Sequence, residues 1–558
     1  MINKFGDSLK KNIKLLIYTA CGIGLCWIDL WRGIGNGAQW ALAVNCTGFC
    51  VFPLIVLRLD WRMLLPGAKA TEKWQKAFMG LFYLWLIVSV VFAYPAFKFF
   101  APGTDYDAQI ITAIANVILY GAVLIRMYFY LFYERDRNTK VTFVFYIWLL
   151  FIVFAIASVN NSVWPLWFLV MFGSFYLAPL KGEDLREIIE GLANGIIIGF
   201  FWIQSRAFLY RPYDKDYRYY GHYTNPNVNA MFYLFSYVAW LTKLWIYRTS
   251  RKTKRYIFTF FMASSMWVFV FFTGSRSAWI GFAGVTFIYL LAESFIAEKR
   301  KLAVFFGKGI LILLLAAVAF LPVYACMRYI PPLRHHPIWY QAEYSENRVM
   351  SWDPIDSEKY YELDEILTKM LGRLNFVGGE KEQSADVSVE ETFESILNVS
   401  EETIPVIEEK HPLYEELDYS SSFPRRVLKI RYYIFSYAIS RTTFWGNEKF
   451  DTVWLTDSFQ LYHAHNTALM MLFWFGWISG LSFISLLLLI PAYGAYCLFV
   501  KTTIKPENTA FFGILFACIA GTAYLLAGLS ECVAFPGEMG LTMFMTALLP
   551  VIRAVNNK

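Results

Sequence analysis

Long apolar segments follow one another along almost the whole chain, and they restrict the possible fold more than any other feature. Most are about 17–26 residues long, the length at which an α-helix crosses a lipid bilayer. Fourteen such segments are present, at 13–31, 36–57, 77–97, 108–133, 141–159, 163–179, 188–210, 226–247, 256–274, 277–297, 302–325, 466–496, 508–530 and 536–552. Hydrophobic residues make up 57% of the chain, more than in ordinary soluble domains. The sequence therefore predicts an all-α polytopic membrane protein with about 14 transmembrane helices.

One long hydrophilic insert, residues 328–462, interrupts this pattern and divides the chain. It contains 24 acidic and 14 basic residues, as expected of a region in water rather than in lipid. We expect N-terminal membrane helices in 1–190, further membrane helices with two arginine motifs in 191–327, and C-terminal membrane helices in 463–558. The insert itself is then one large loop domain outside the membrane.

Charges are sorted within the insert. Residues 380–418 hold 13 acidic residues and two lysines, whereas 425–441 hold no acid and include Arg425 and Arg431. The acidic stretch is typical of a solvated surface loop. The basic stretch has helical apolar spacing, which favours a helix along the membrane surface that faces anionic headgroups or a phosphorylated ligand.

Positive charge in the short loops predicts the orientation, because Lys and Arg are retained on the cytoplasmic side. Basic loops alternate with loops that are nearly free of Lys and Arg. The basic loops contain Lys4, Lys10, Lys11, Lys14, Arg58, Arg62, Lys69, Lys73, Arg135, Arg137, Lys140, Arg248, Arg251, Lys252, Lys254, Arg255, Lys299, Arg300 and Lys301. Both termini are predicted to be cytoplasmic and the insert external. The first apolar run has no small-residue cleavage site, so we interpret it as a retained span.

The formal net charge of +7 comes largely from this basic rim, so it gives no reason to expect nucleic acid as a partner. The eight cysteines show no metal-ligand spacing, and none of them lies in the insert. Small residues recur at four-residue steps in the sequence GLANGIIIG, 191–199. This spacing indicates close packing against another helix in lipid.

The first of three polar motifs on the predicted external side is RYYGHYTNPNVNA, 218–230. Asn225, Pro226 and Asn227 form a turn and helix-start signal. That signal does not require Arg218 or His222. Both side chains are predicted to lie at a membrane boundary, where a cation can meet an anionic headgroup.

The second motif is TGSRSAWIGF, 273–282, between the ninth and tenth apolar segments. Gly274 and Ser275 permit a tight reversal. Arg276 is left at a helix start, where the positive end of the helix dipole disfavours a cation. An arginine placed there calls for water, a carboxylate or an anion, and its planar fork suits phosphate oxygens.

The third motif is HAHN, 463–466, directly before the twelfth apolar segment. His463 and His465 are spaced so that an extended segment would place both on one face, as in a two-histidine metal site. No acid or cysteine beside them completes a ligand set, so we expect no metal. The alternative is a general base, His465 or His463, with Asn466 as an orienting partner.

In this order, the motifs resemble those of the O-antigen ligase and O-antigen polymerase family of bacterial envelope glycosyltransferases. The resemblance covers roughly residues 195–490. It is carried by Arg218 to Asn227, by GSRSAW at 274–279, by RRVLKIRYYIFSYAISRTTFWGN at 425–447 and by HAHNTALMMLFWFGWISG at 463–480.

The resemblance implies a C-type, metal-independent inverting glycosyltransferase in the bacterial cytoplasmic membrane, without a cofactor. Its donor would be an undecaprenyl-pyrophosphate-linked glycan, and its acceptor a glycan or lipid core. Arg218, Arg276 and His222 would bind the pyrophosphate, and His465 or His463 would be the base. The supporting residues would be Asn225, Asn227, Asn466, Arg425 and Arg431.

Two questions stay open at this point. A ligase moves a finished glycan to a lipid core, whereas a polymerase joins lipid-linked repeats, and we favour a ligase from HAHN and the single large outer loop. The alternative from another class is a transporter or flippase of lipid-linked sugars. A transporter would place charged residues at mid-membrane depth, whereas in this chain they cluster at span boundaries.

Overall fold

The computed structural model describes a large part of the chain. The described residues are 2–27, 39–59, 84, 106–129, 141–160, 164–180, 182–210, 218–219, 221, 223, 226–297, 302–333, 363–364, 366–368, 432, 434–447, 453–456, 459–461, 464–501, 508–533 and 539–553. Every statement about the fold refers to these residues.

The described chain is a bundle of helices. They are α1 (Ile2–Trp27), α2 (Gln39–Cys50), α3 (Phe52–Val56), α4 (Tyr106–Phe129), α5 (Phe143–Ile156), α6 (Trp164–Leu177), α7 (Gly182–Tyr210), α8 (Pro226–Thr249), α9 (Thr253–Thr273), α10 (Arg276–Leu291), α11 (Leu302–Leu333), α12 (Thr467–Ala495), α13 (Thr509–Gly528), α14 (Met539–Ala547) and α15 (Leu549–Ile552). Helix α10 continues as a π-helical turn, Ala292–Ala297, and α12 as another, Tyr496–Val500.

Each predicted span coincides with one or two of these helices, except 77–97, which lies outside the described residues apart from Leu84. Among the described residues, six helices are long and apolar enough to cross a membrane, which makes this a helical membrane protein. The described chain is helical, as expected. One short antiparallel pair, β1 (Val453–Thr456) and β2 (Phe459–Leu461), lies within the insert.

Helix α8 lies at the centre of the bundle. Every residue from Asn229 to Ile246 is buried, and α8 packs against α7, α9, α10 and α13. A helix that is buried all round has no lipid-facing stripe. The described helix with the most lipid-exposed surface is α11, where Leu313, Val318 and Leu321 are more than half exposed.

The small residues of 191–199 pack closely against another helix, as the sequence predicts, and that helix is α1. A Cβ atom at Gly195 would lie 2.1 Å from Thr19 O and 2.6 Å from the Cα of Gly22. At Gly191 it would lie 2.3 Å from the Cβ of Tyr18. The two backbones therefore touch, and van der Waals contact at this distance is what holds helices together in lipid.

The bundle has two distinguishable ends. At one end α8, α10 and α12 begin, α13 stops, and α11 leads at Leu333 into the insert. We call this the insert end. At the opposite end, Lys14 of α1 lies 3.6 Å from Asp184 at the start of α7, and Arg553 donates to Tyr176 O at the end of α6. Lys14 in the first described segment and Arg553 at the end of the last one therefore both lie at the opposite end of the bundle.

Candidate functional site

A carboxylate that the motifs do not include, Glu531, lies at the centre of the polar groups at the insert end. It follows the end of α13, and its side chain is 16% exposed. Asn227 Nδ2 donates to Glu531 Oε1 at 2.9 Å, and His465 Nδ1 lies 3.9 Å from Oε2. Thr467 Oγ1 donates to the backbone oxygen of Glu531 at 2.8 Å, which fixes the start of α12 against the end of α13.

Arg218 joins this carboxylate through Asn227. Its Nη2 donates to Asn227 Oδ1 at 2.5 Å, and its Nε donates to Thr273 O at 2.8 Å. The amide of Asn227 thus accepts from a guanidinium and donates to a carboxylate. We call Arg218, Asn227, Glu531 and His465 the Arg–Asn–Glu–His network. It connects the first and third sequence motifs.

The second motif lies against the same network. Gly274 ends α9 in the left-handed conformation (φ 62°), which confirms the predicted tight reversal. Arg276 begins α10 and is half-buried. Arg218 therefore binds the backbone oxygen of Thr273, in the turn that directly precedes Arg276. The hydroxyl of Ser277 is hydrogen-bonded to that of Ser530, next to Glu531.

The start of α10 carries a buried polar atom without a partner. Ser275 occupies the N-cap position, but its side chain makes no capping hydrogen bond. Its Oγ is buried and has no hydrogen-bond partner among the described residues. Buried polar atoms in native proteins are nearly always satisfied, by protein, water or a ligand. The Ser275 hydroxyl and the first amides of α10 are therefore suited to an anionic group.

His465 has an unusual backbone, with φ 46° in the left-handed region. Non-glycine residues with positive φ are uncommon, and they cluster at functional sites. Asn466 caps α12, while its predicted role of orienting the histidine stays a prediction. Its Oδ1 caps α12 by accepting from Leu469 N at 2.9 Å, and its Nδ2 donates to Leu529 O at 2.9 Å. Glu531 faces His465, with Oε2 3.9 Å from Nδ1.

Among the described residues, three helix N-termini meet at this site: α8 at Pro226, α10 at Arg276 and α12 at Thr467. Each presents the partial positive charge of its first amides. With two guanidinium groups added, the field at the site favours an anion, and backbone amides at helix starts are common phosphate ligands. Among the described residues, the carboxylate of Glu531 lies within this positive region.

The structure thus brings together Arg218, Arg276, Asn227, Asn466 and His465. The other predicted site residues, namely His222, Asn225, His463, Arg425 and Arg431, lie outside the described residues. The choice between His463 and His465 stays a prediction. Pro226 does start α8, as expected, and Asn227 follows it.

Glu531 is the residue that sequence reasoning missed. Its one signal is position, because an acid directly after a long apolar segment lies at a membrane boundary. Within the described chain, no group of three or more His, Cys, Asp or Glu side chains is arranged to hold a metal ion.

Comparison with known proteins adds no relative. No family model matches the chain, and neither a curated protein nor a solved structure matches it. The resemblance to the O-antigen ligase and polymerase family therefore rests on the motifs themselves.

Proposed function

We propose that this protein transfers a glycan from an undecaprenyl-pyrophosphate-linked donor to an acceptor sugar hydroxyl, as an O-antigen ligase does. The observation that carries the proposal is the Arg–Asn–Glu–His network next to the start of α10. It combines groups for an anionic leaving group with a histidine and a carboxylate that can accept and hold a proton. The protein would lie in a bacterial cytoplasmic membrane, with both termini cytoplasmic and the insert end at the outer face.

The donor side is supported by charge. Arg218, Arg276 and the amides at the start of α10 would contact a bound pyrophosphate. As the bond between the anomeric carbon and the pyrophosphate oxygen breaks, negative charge grows on the leaving group. Positive groups fixed in advance stabilise that charge, often the largest contribution to such a rate acceleration. The Ser275 hydroxyl would donate one further hydrogen bond.

The acceptor side is supported by the pairing of His465 with Glu531. The imidazole accepts the proton of the acceptor hydroxyl while its oxygen forms the new bond to the anomeric carbon from the opposite face. The pyrophosphate leaves with the electrons of the old bond, so the configuration inverts. A carboxylate 3.9 Å from Nδ1 stabilises the positive charge that the histidine gains, and such contacts often shorten when substrate binds.

Reconstitution with a defined polyprenyl-pyrophosphate oligosaccharide and several acceptors tests the proposal. Release of polyprenyl pyrophosphate measures turnover. Arg218→Ala and Arg276→Ala should each lose about a hundredfold, close to 3 kcal/mol of transition-state stabilisation, and Lys should restore only part of it. His465→Gln should lose most turnover and keep donor affinity. Acceptor preference, lipid core or lipid-linked repeat, separates ligase from polymerase.

Two variants serve as controls. Arg255→Ala removes an exposed arginine at the opposite end and should be close to wild type. His463→Gln addresses the second candidate base. Near-normal turnover of both histidine variants would remove histidine from the chemistry. Accumulation of transported donor without any new glycosidic bond would favour the transporter instead.

The orientation has its own test. Ser250 is exposed at the opposite end, in the turn between α8 and α9, and Ser421 lies in the insert. Single cysteines at these positions in a cysteine-free background should react with a membrane-impermeant reagent only from the cytoplasm at Ser250 and only from outside at Ser421. Labelling of Ser250 from outside contradicts the proposed orientation.

A further inference from the structure

Helix α12 is broken near its start. Gly476 has φ 80° and ψ −178°, which no helical residue adopts and which is restricted to glycine. The break separates a short helical part, residues 467–475, from the long part that continues to Ala495. Because His465 and Asn466 directly precede the short part, the angle at Gly476 sets where they lie.

Residues 442–447, a segment of the insert, fill this break, and we call them the strap. In a continuous helix the amide of Trp477 would donate to Phe473 O. Instead Trp477 N donates to Phe444 O at 3.3 Å, and Phe473 O accepts from Asn447 Nδ2 at 2.9 Å. The strap therefore supplies a new partner for each group of this missing hydrogen bond. In an apolar surrounding, a backbone group without a hydrogen-bond partner is strongly destabilising.

Two glycines allow the strap to approach this closely. A Cβ atom at Gly476 would lie 2.0 Å from Phe444 O, and a Cβ atom at Gly446 would lie 2.1 Å from Trp474 O. Both clashes are with backbone atoms, so no change of rotamer relieves them. Gly446 also has positive φ, 82°. Any side chain at either position forces the strap and the break apart.

The strap is itself fixed on both sides. Val159 N donates to Trp445 O at 3.0 Å and Asn160 Nδ2 donates to Asn447 O at 3.2 Å, so the end of α5 holds it. Directly before it, the helical residues 434–441 pack through Ile434 and Ala438 on Met470 and Phe473 of the short part. The insert thus holds the short part of α12 from two directions.

We propose that the strap is a positioning element: by locking the break at Gly476 it places His465 against Glu531. The kinetic side of this inference rests on the proposed function, whereas the structural side does not. A segment of the insert thereby sets the geometry of a site to which it contributes no described side chain.

A disulfide reports the position of the short part without any assay of activity. A Cβ atom at Gly528 would lie 3.3 Å from the Cβ of Thr467, close to the separation found in disulfides. In a cysteine-free background, the pair Gly528→Cys and Thr467→Cys should cross-link readily. Adding Gly476→Ala or Gly446→Ala should slow cross-linking about tenfold, as a shift of one ångström or more in the short part requires.

The matched control is Gly307→Ala, because a Cβ atom there meets nothing within 4 Å. With this substitution added, the cysteines at positions 467 and 528 should cross-link at the original rate. Asn447→Leu removes the two hydrogen bonds that Asn447 Nδ2 donates, to Phe473 O and to Arg441 O. It serves if the glycine variants do not fold. Unchanged cross-linking in every folded strap variant overturns the proposal.

Turnover, measured with the native residues at 467 and 528, completes the test. Gly476→Ala and Asn447→Leu should keep donor affinity and lose turnover, by about a hundredfold for the glycine variant. Slow cross-linking with normal turnover shows that the break does not position the base, and overturns the inference. If the wild-type protein transfers no glycan, the proposed function is wrong. If the strap variants still cross-link slowly, the structural part of the inference stands.

Discussion

Two glutamates at opposite ends of the bundle, Glu293 and Glu531, have very different surroundings. Glu293 lies in the π-helical turn after α10, and its side chain is fully buried. Its Oε1 lies 3.3 Å from Arg248 Nε and 2.6 Å from Lys308 Nζ, and it accepts from the Tyr256 hydroxyl at 2.9 Å. Two cations and a hydroxyl thus tie three helices together through one oxygen.

Glu531 has a neutral amide as its close partner, Asn227, and a histidine just beyond hydrogen-bond distance. It is also accessible to solvent. The comparison teaches that a buried carboxylate in contact with charged partners serves to stabilise the fold. Glu531 is partly exposed and lies beside a histidine, so a proton or a substrate can reach its carboxylate. The same residue type is structural at one end and a candidate for chemistry at the other.

Glu293→Gln should have the largest effect on stability. It leaves Arg248 and Lys308 facing a neutral amide inside the protein, and breaking a buried ion pair in this way costs about 3–5 kcal/mol. Thermal unfolding in detergent measures the loss. A midpoint equal to that of wild type would show that these two cations do not depend on Glu293.

Glu531→Gln should separate activity from stability. The amide can still accept from Asn227, so the unfolding midpoint should stay near that of wild type. Turnover should fall about a hundredfold, because the carboxylate no longer supports proton transfer by His465. If turnover of Glu531→Gln is normal while its unfolding midpoint drops, Glu531 is structural and the assigned role in proton transfer is wrong.

Lys14→Ala should have a small effect. Its Nζ lies 3.6 Å from Asp184, and its side chain is about one-third exposed. Solvent-exposed ion pairs contribute about 0–1 kcal/mol. The same unfolding measurement should place this variant between wild type and Glu293→Gln. A loss as large as that of Glu293→Gln would show that burial is not what distinguishes the two ion pairs.

Chelation should have the smallest effect. If Glu531 and His465 handle a proton, transfer should continue in EDTA at the rate without chelator. Loss of turnover that a divalent cation restores would mean that this carboxylate and histidine bind a metal instead. That result would end the argument that arginines provide the positive charge.

How far the sequence predicts this structure depends on the range of the interaction. Span positions follow from local composition, and the reversal at Gly274 and the start of α8 follow from turn residues. The packing of Gly191 and Gly195 onto α1 was predicted as a helix contact, but without its partner. Each of these signals lies within a few neighbouring residues.

The remaining features depend on segments that are distant in sequence. Glu531 meets Asn227 and His465 only because α8, α12 and α13 meet at one end of the bundle. The break at Gly476 depends on a strap from the insert, while the surrounding sequence, FWFGWISG, resembles any continuous apolar helix. No local sequence pattern specifies such contacts, because the chain between two distant residues does not determine how far apart they lie in the folded protein.

The burial of α8 has a consequence for how the protein is made. This helix is not among the six that are apolar enough to span on their own, since it contains polar residues such as Asn229 and Lys243. A lysine within a lone apolar helix, even six residues from its end as Lys243 is in α8, disfavours release from the translocation channel into lipid. Lys243 lies 2.9 Å from Glu190 of α7, so we expect α8 to enter the bilayer together with α7, as a pair whose charges already match.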